Sequence, residues 1–166
     1  MKSAFGLQAF TPIWDWQLDE HYLIATAFSR RLLSFYALDI EPEIGIAQRF
    51  GGMHETEAWA AIYLRWTAFP WNEVVRTTVA VSTGISWVSG VNSIEEKRGE
   101  VPGGSRLLHY LSPEITFAMP HNPHAELLFR FHHRSGGGDF ILGDTELFKG
   151  VTGGAQFIST GLRFRF

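Results

Sequence analysis

Residues 76–87 read Arg76-Thr77-Thr78-Val79-Ala80-Val81-Ser82-Thr83-Gly84-Ile85-Ser86-Trp87. Thr77, Val79, Val81, Thr83, Ile85 and Trp87 share one parity and are β-branched or aromatic. Arg76, Thr78, Ala80, Ser82, Gly84 and Ser86 share the other and are mostly small or polar. Successive strand side chains point to opposite faces, so this alternation predicts a strand with one apolar face.

The pattern extends in both directions. Upstream, Ala58, Ala60, Ile62, Leu64 and Trp66 oppose Glu57, Trp59, Tyr63, Arg65 and Thr67. Before that, Leu38, Ile40, Pro42, Ile44 and Ile46 oppose Asp39, Glu41, Glu43, Gly45 and Ala47. Downstream, Leu107, Leu111, Ile115, Phe117 and Met119 oppose Tyr110, Ser112, Glu114 and Thr116. Leu127, Phe129 and Phe131 then oppose Glu126, Arg130 and His132, and Ile158, Leu162, Phe164 and Phe166 oppose Ser159, Gly161, Arg163 and Arg165. With weaker strands near residues 4–13 and 21–31 the count reaches eight. The expected fold is all-β, an eight-stranded antiparallel up-and-down transmembrane β-barrel, with residues 1–166 as a single domain.

A soluble sandwich or lipocalin-like barrel shows the same alternation with its apolar face turned inward. Three features favour the opposite orientation. The end of the chain, Ser159-x-Gly161-x-x-Phe164-x-Phe166, resembles the C-terminal β-signal of outer-membrane barrels. The polar faces carry Glu41, Glu43, Glu57, Glu114 and Glu126 with Arg65, Arg76, Arg130, Arg163 and Arg165, without lysine. Mutually neutralising charges among small residues suit a narrow interior, since a buried charge is tolerated only when paired. Connections alternate in length, with tight turns at Phe69-Pro70-Trp71-Asn72 and Pro120-His121-Asn122-Pro123 and long glycine-rich loops over residues 90–104 and 136–153. Trp14, Trp16, Tyr22, Trp66, Trp71 and Trp87 fall near strand ends, as aromatic girdles do.

Composition narrows the function. The net charge is −3, from 14 Lys+Arg against 17 Asp+Glu, so no whole-molecule field draws nucleic acid, and no nucleic-acid partner is expected. The absence of cysteine excludes disulfides, thiolate metal sites and a cysteine nucleophile. Mean hydropathy of −0.02 does not argue against a membrane barrel, because only every second residue meets lipid. The opening Met1-Lys2-Ser3-Ala4-Phe5 lacks the apolar core of a secretory signal, so an exported chain is expected to begin here at a mature or re-engineered end.

The stretch Phe129-Arg130-Phe131-His132-His133-Arg134-Ser135-Gly136 holds the candidate chemistry. Parity puts His133 and Ser135 on the face of Leu127, Phe129 and Phe131, at the outer end of the strand. Ionisable groups among lipid-facing residues are costly and point to function. An imidazole two residues from a hydroxyl on one strand face is also what nucleophilic acyl transfer needs. The bland alternative is a pair of polar rim residues solvated by headgroups and water.

This region resembles the PagL-type lipid A deacylases, outer-membrane barrels of this size that remove a 3-O-linked acyl chain from lipid A. In that family a His-x-Ser pair late in the penultimate strand works with a Glu near the start of the last strand. His133 and Ser135 match the pair. The resemblance therefore implies a serine-type lipid A esterase in the bacterial outer membrane, with lipid and lipopolysaccharide as partners and no metal or organic cofactor. Two positions depart from the family pattern: Gly136 stands where an Asn follows the Ser, and Gln156 where the Glu is expected. Asp139, Asp144 and Glu146 in the preceding loop read first as solvated loop charges and second as alternative sources of the acid. Gly136 and Gln156 also motivate a second reading, a non-catalytic barrel acting as a structural or partner-binding component of an outer-membrane assembly.

Other motifs read as structural. His121-Asn122-Pro123-His124 is turn chemistry rather than a metal site, and Glu41 with Glu43 is ion pairing rather than acid/base catalysis. Glycines 136–138 lack the Lys-Ser/Thr sequel of a phosphate loop. Lys97 and Arg98 sit in a charged loop that suits solvent or lipopolysaccharide phosphates.

Overall fold

A computed structural model describes residues 21–52, 54–91, 105–136 and 154–166. Their regular structure is all strand: β1 (His21–Ser29), β2 (Leu33–Phe35), β3 (Leu38–Gly51), β4 (Thr56–Trp66), β5 (Arg76–Val88), β6 (Leu107–Leu111), β7 (Glu114–Met119), β8 (Asn122–Ser135) and β9 (Gly154–Phe164). All pairings are antiparallel. Both β1 and β2 pair with β3, and both β6 and β7 lie between β5 and β8. Nine strands therefore occupy seven positions in a simple up-and-down sheet. The expected strand over residues 4–13, with Trp14 and Trp16, lies outside the described residues.

The parity reading holds along the long strands. Glu41, Glu43, Glu57, Arg65, Glu114, Glu126 and Arg130 are buried, while Ile44, Ile46, Ile62, Leu64, Val81, Ile85, Leu127, Phe129 and Ile158 are exposed. Glu57 and Arg65 are each 0% exposed, against 63% for Ile44. The polar face is thus the interior and the apolar face the outside. A single sheet can bury one face only by curling upon it. Bonds across the interior record that curl. Arg130 on β8 forks onto Glu43 of β3 at 2.9 and 2.7 Å, and Arg165 reaches Glu41 at 3.2 Å. Edge strands β1 and β9 share no hydrogen-bonded ladder, although Leu23 packs against Ala155 and Phe157, and the Phe28 and Phe166 rings lie 6.4 Å apart.

The interior is a filled network. Glu114 accepts from Arg65, Arg130 and Arg163, and Glu57 from Arg49 and Ser86. A further chain runs from Glu57 through His132 at 3.0 Å and Tyr110 at 3.2 Å toward Tyr63. Trp59 stacks on Tyr110 and donates to Glu43, and it lies so close to Gly45 that a Cβ there would come within 2.1 Å of the indole.

Some details differ from expectation. Thr77, read on the apolar row, is buried, because it lies beside the turn where Trp71 Nε1 donates to its hydroxyl and Asn72 accepts from its backbone N–H. Arg76, read on the interior face, is exposed as the first residue of β5. The turn at 69–72 belongs to a longer connection over residues 67–75, whereas 120–121 is a tight turn. The short 52–55 connection shares an end with the longer ones, since Glu57 pairs with Val88. Trp66, Trp71, Trp87 and Tyr22 are exposed near strand ends.

Candidate functional site

β8 carries both expected residues at its end. His133 and Ser135 are separated by one inward-facing residue, Arg134, so their side chains emerge on the same outer face. Their atoms meet there: His133 Nε2 and Ser135 Oγ are 3.1 Å apart. That separation lies within the range expected of a nucleophile and its base. The Phe131 ring runs nearly parallel to the imidazole at 5.9 Å, helping to fix its plane. His133 is buried and Ser135 half-buried.

The neighbouring strands complete the surroundings. On one side Gln156 pairs with His133, and Gly154 pairs with Ser135. Gly154 permits a close backbone approach, because a Cβ there would lie 2.0 Å from the Arg134 carbonyl oxygen. On the other side Leu111 pairs with His133, and His109 pairs with Ser135. His109 Nε2 is 2.9 Å from Thr83 Oγ1 on β5. Thr83, His109, Ser135, His133 and Gln156 therefore form a polar island on an outer face otherwise built from residues such as Val81, Ile85, Leu107, Phe129 and Ile158.

His109 and Thr83 were not anticipated from sequence. The available signal was parity, which puts His109 on the outward row between Leu107 and Leu111. Gly136 follows directly after Ser135, while Asp139, Asp144 and Glu146 lie outside the described residues. Glu41 and Glu43 are engaged by Arg65, Arg165 and Arg130. His124 Nδ1 lies 3.0 Å from the Arg165 carbonyl oxygen, and no metal-ligating cluster occurs among the described residues.

No family model, curated protein or solved structure matches this chain. The site must consequently be read from its own chemistry. An imidazole hydrogen-bonded to a serine hydroxyl can accept its proton as the oxygen attacks a carbonyl. Gln156 can orient a neighbouring imidazole through its amide, but it cannot stabilise imidazolium as a carboxylate does. For an esterase working through this pair, Gln156→Glu is therefore expected to raise acyl-ester turnover by about tenfold or more. Steady-state kinetics on the purified variant would check this, and an unchanged or lower rate would show that a carboxylate here is not limiting.

Proposed function

We propose that this chain is an eight-stranded transmembrane barrel of a bacterial outer membrane and that its outer-face serine hydrolyses an ester-linked acyl chain of lipopolysaccharide. The observation carrying the catalytic reading is the 3.1 Å contact between His133 and Ser135 on an apolar outer face. Ser135 attacks the ester carbonyl, His133 takes the hydroxyl proton, and the backbone N–H of Gly136 contributes to holding the oxyanion. His133 then protonates the departing alkoxide, and water releases the fatty acid from Ser135.

The membrane reading rests on inverted polarity. Exposed aliphatic rows are expensive in water and favourable in lipid, while the charges are neutralised inside. Strands β3, β4, β5, β8 and β9, of 11 to 14 residues, are long enough for tilted strands to cross a hydrocarbon core, which takes about 9–11 residues. Seven positions are occupied among the described residues; the strand expected from sequence over residues 4–13, which completes the count of eight, lies outside them. The protein is expected to fractionate with outer membranes and to require detergent for extraction. A stable monomer in plain buffer would overturn the membrane assignment.

Gln156 opposite His133 favours a second reading, a non-catalytic component of an envelope assembly. Mass spectrometry of lipid A distinguishes the two. Cells making the wild-type protein should lose one acyl chain that cells making Ser135→Ala retain. Identical lipid A in both would put the scaffold reading in its place.

A further inference from the structure

We propose that His109 is a second catalytic imidazole, donating a hydrogen bond to the oxyanion formed when Ser135 attacks an acyl ester. This deepens the ester-hydrolase reading above and rests on it.

The argument begins with location. On β6 the outward row is Leu107, His109 and Leu111, and Ile85 is the cross-strand neighbour of His109 on β5. His109 is only 3% exposed, and a buried polar ring in an otherwise aliphatic row is costly unless it has hydrogen-bonding work to do. The opposite neighbour of His109 is Ser135. Directly paired residues on one face of an antiparallel sheet have Cβ atoms about 4.5–5.5 Å apart. An imidazole therefore stands within reach of a group bonded to the serine oxygen.

The two histidines are also held differently. His133 is bonded to Ser135 Oγ and is the base, whereas His109 is bonded to Thr83 Oγ1 through Nε2. With the Thr83 hydroxyl donating to Nε2, the neutral ring carries its proton on Nδ1 and can use it as a donor. As Ser135 Oγ forms its bond to the carbonyl carbon, the C=O π pair moves onto oxygen and the serine proton moves to His133. His109 N–H stabilises the new negative charge without transferring its proton. When the oxyanion collapses, the C–O bond to the leaving alkoxide breaks and His133 returns the proton to it. Gly136, directly after Ser135, offers a backbone N–H but no side-chain donor, so His109 adds a second donor to the same oxyanion.

The test uses the purified full chain in detergent micelles with p-nitrophenyl laurate, comparing wild type, Ser135→Ala, His109→Leu and His109→Gln. Leucine extends the row already formed by Leu107 and Leu111, so the barrel should assemble, which heat-modifiable gel mobility verifies. Loss of one oxyanion donor should lower kcat about 10²–10³-fold with little change in KM. Glutamine retains an N–H donor and should recover at least tenfold over leucine. A kcat for His109→Leu within threefold of wild type, or glutamine no better than leucine, overturns the assignment while leaving Ser135-dependent turnover in place. Wild-type turnover that is absent, or that survives Ser135→Ala, instead defeats the hydrolase reading and His109's role with it.

Discussion

Ser135→Ala and His133→Ala are each expected to reduce acyl-ester hydrolysis by about 10⁴-fold or more, and the double variant little further. In the proposed mechanism the serine supplies the bond-forming oxygen and the imidazole the base that makes it nucleophilic, so either loss disables the same step. Both side chains project from the outer face of β8, opposite the interior pairs made by Arg130 and His132 on the same strand. The variants should therefore assemble normally. Single- and double-variant rates would check the coupling. Multiplicative losses, each of only a few-fold, would mean that the residues act independently and that the 3.1 Å contact is a rim hydrogen bond.

Parity made this pair legible in the sequence. Residues two apart on a strand share a face, so His133 and Ser135 could be brought together without knowing any tertiary partner. The same rule located the interior charges. Register is different, because it depends on which residues of distant strands lie opposite one another. Nothing local to Leu107-Leu108-His109-Tyr110-Leu111 states that His109 faces Ser135 or that its ring reaches Thr83.

Strand interruptions were also hidden. The outward row from Leu107 to Met119 reads continuously, yet the chain divides into β6 and β7 around Ser112 and Pro113. Proline has no N–H for the ladder, and its carbonyl instead accepts from Phe131 N at 2.9 Å. A comparable break separates β1 from β2, where Arg30 and Leu32 nevertheless donate to the Pro42 and Ile40 carbonyls of β3. Both interruptions preserve the strand's position in the sheet. Alternation alone thus gives the number of positions more reliably than the number of uninterrupted strands.

Glu114→Ala is expected to destabilise the fold by about 3–5 kcal/mol, the usual loss when one partner of a buried ion pair is removed. Glu114 is buried and accepts from three guanidiniums: Arg65, Arg130 at 2.9 and 2.6 Å, and Arg163 at 2.6 Å. Arg130 would still have Glu43, and Arg65 would still have Glu41, but the interior would gain one uncompensated positive charge. Glu114→Gln should cost less, because it keeps an acceptor oxygen while losing the charge. Denaturant unfolding in detergent micelles, followed by tryptophan fluorescence, would measure both. Variants that fold should keep whatever Ser135-dependent ester hydrolysis the wild type shows, since this carboxylate and the His133–Ser135 pair lie on opposite faces of the sheet. A loss below about 1 kcal/mol for Glu114→Ala would mean that water or rearranged side chains neutralise the arginines, and that the interior is not held by this network.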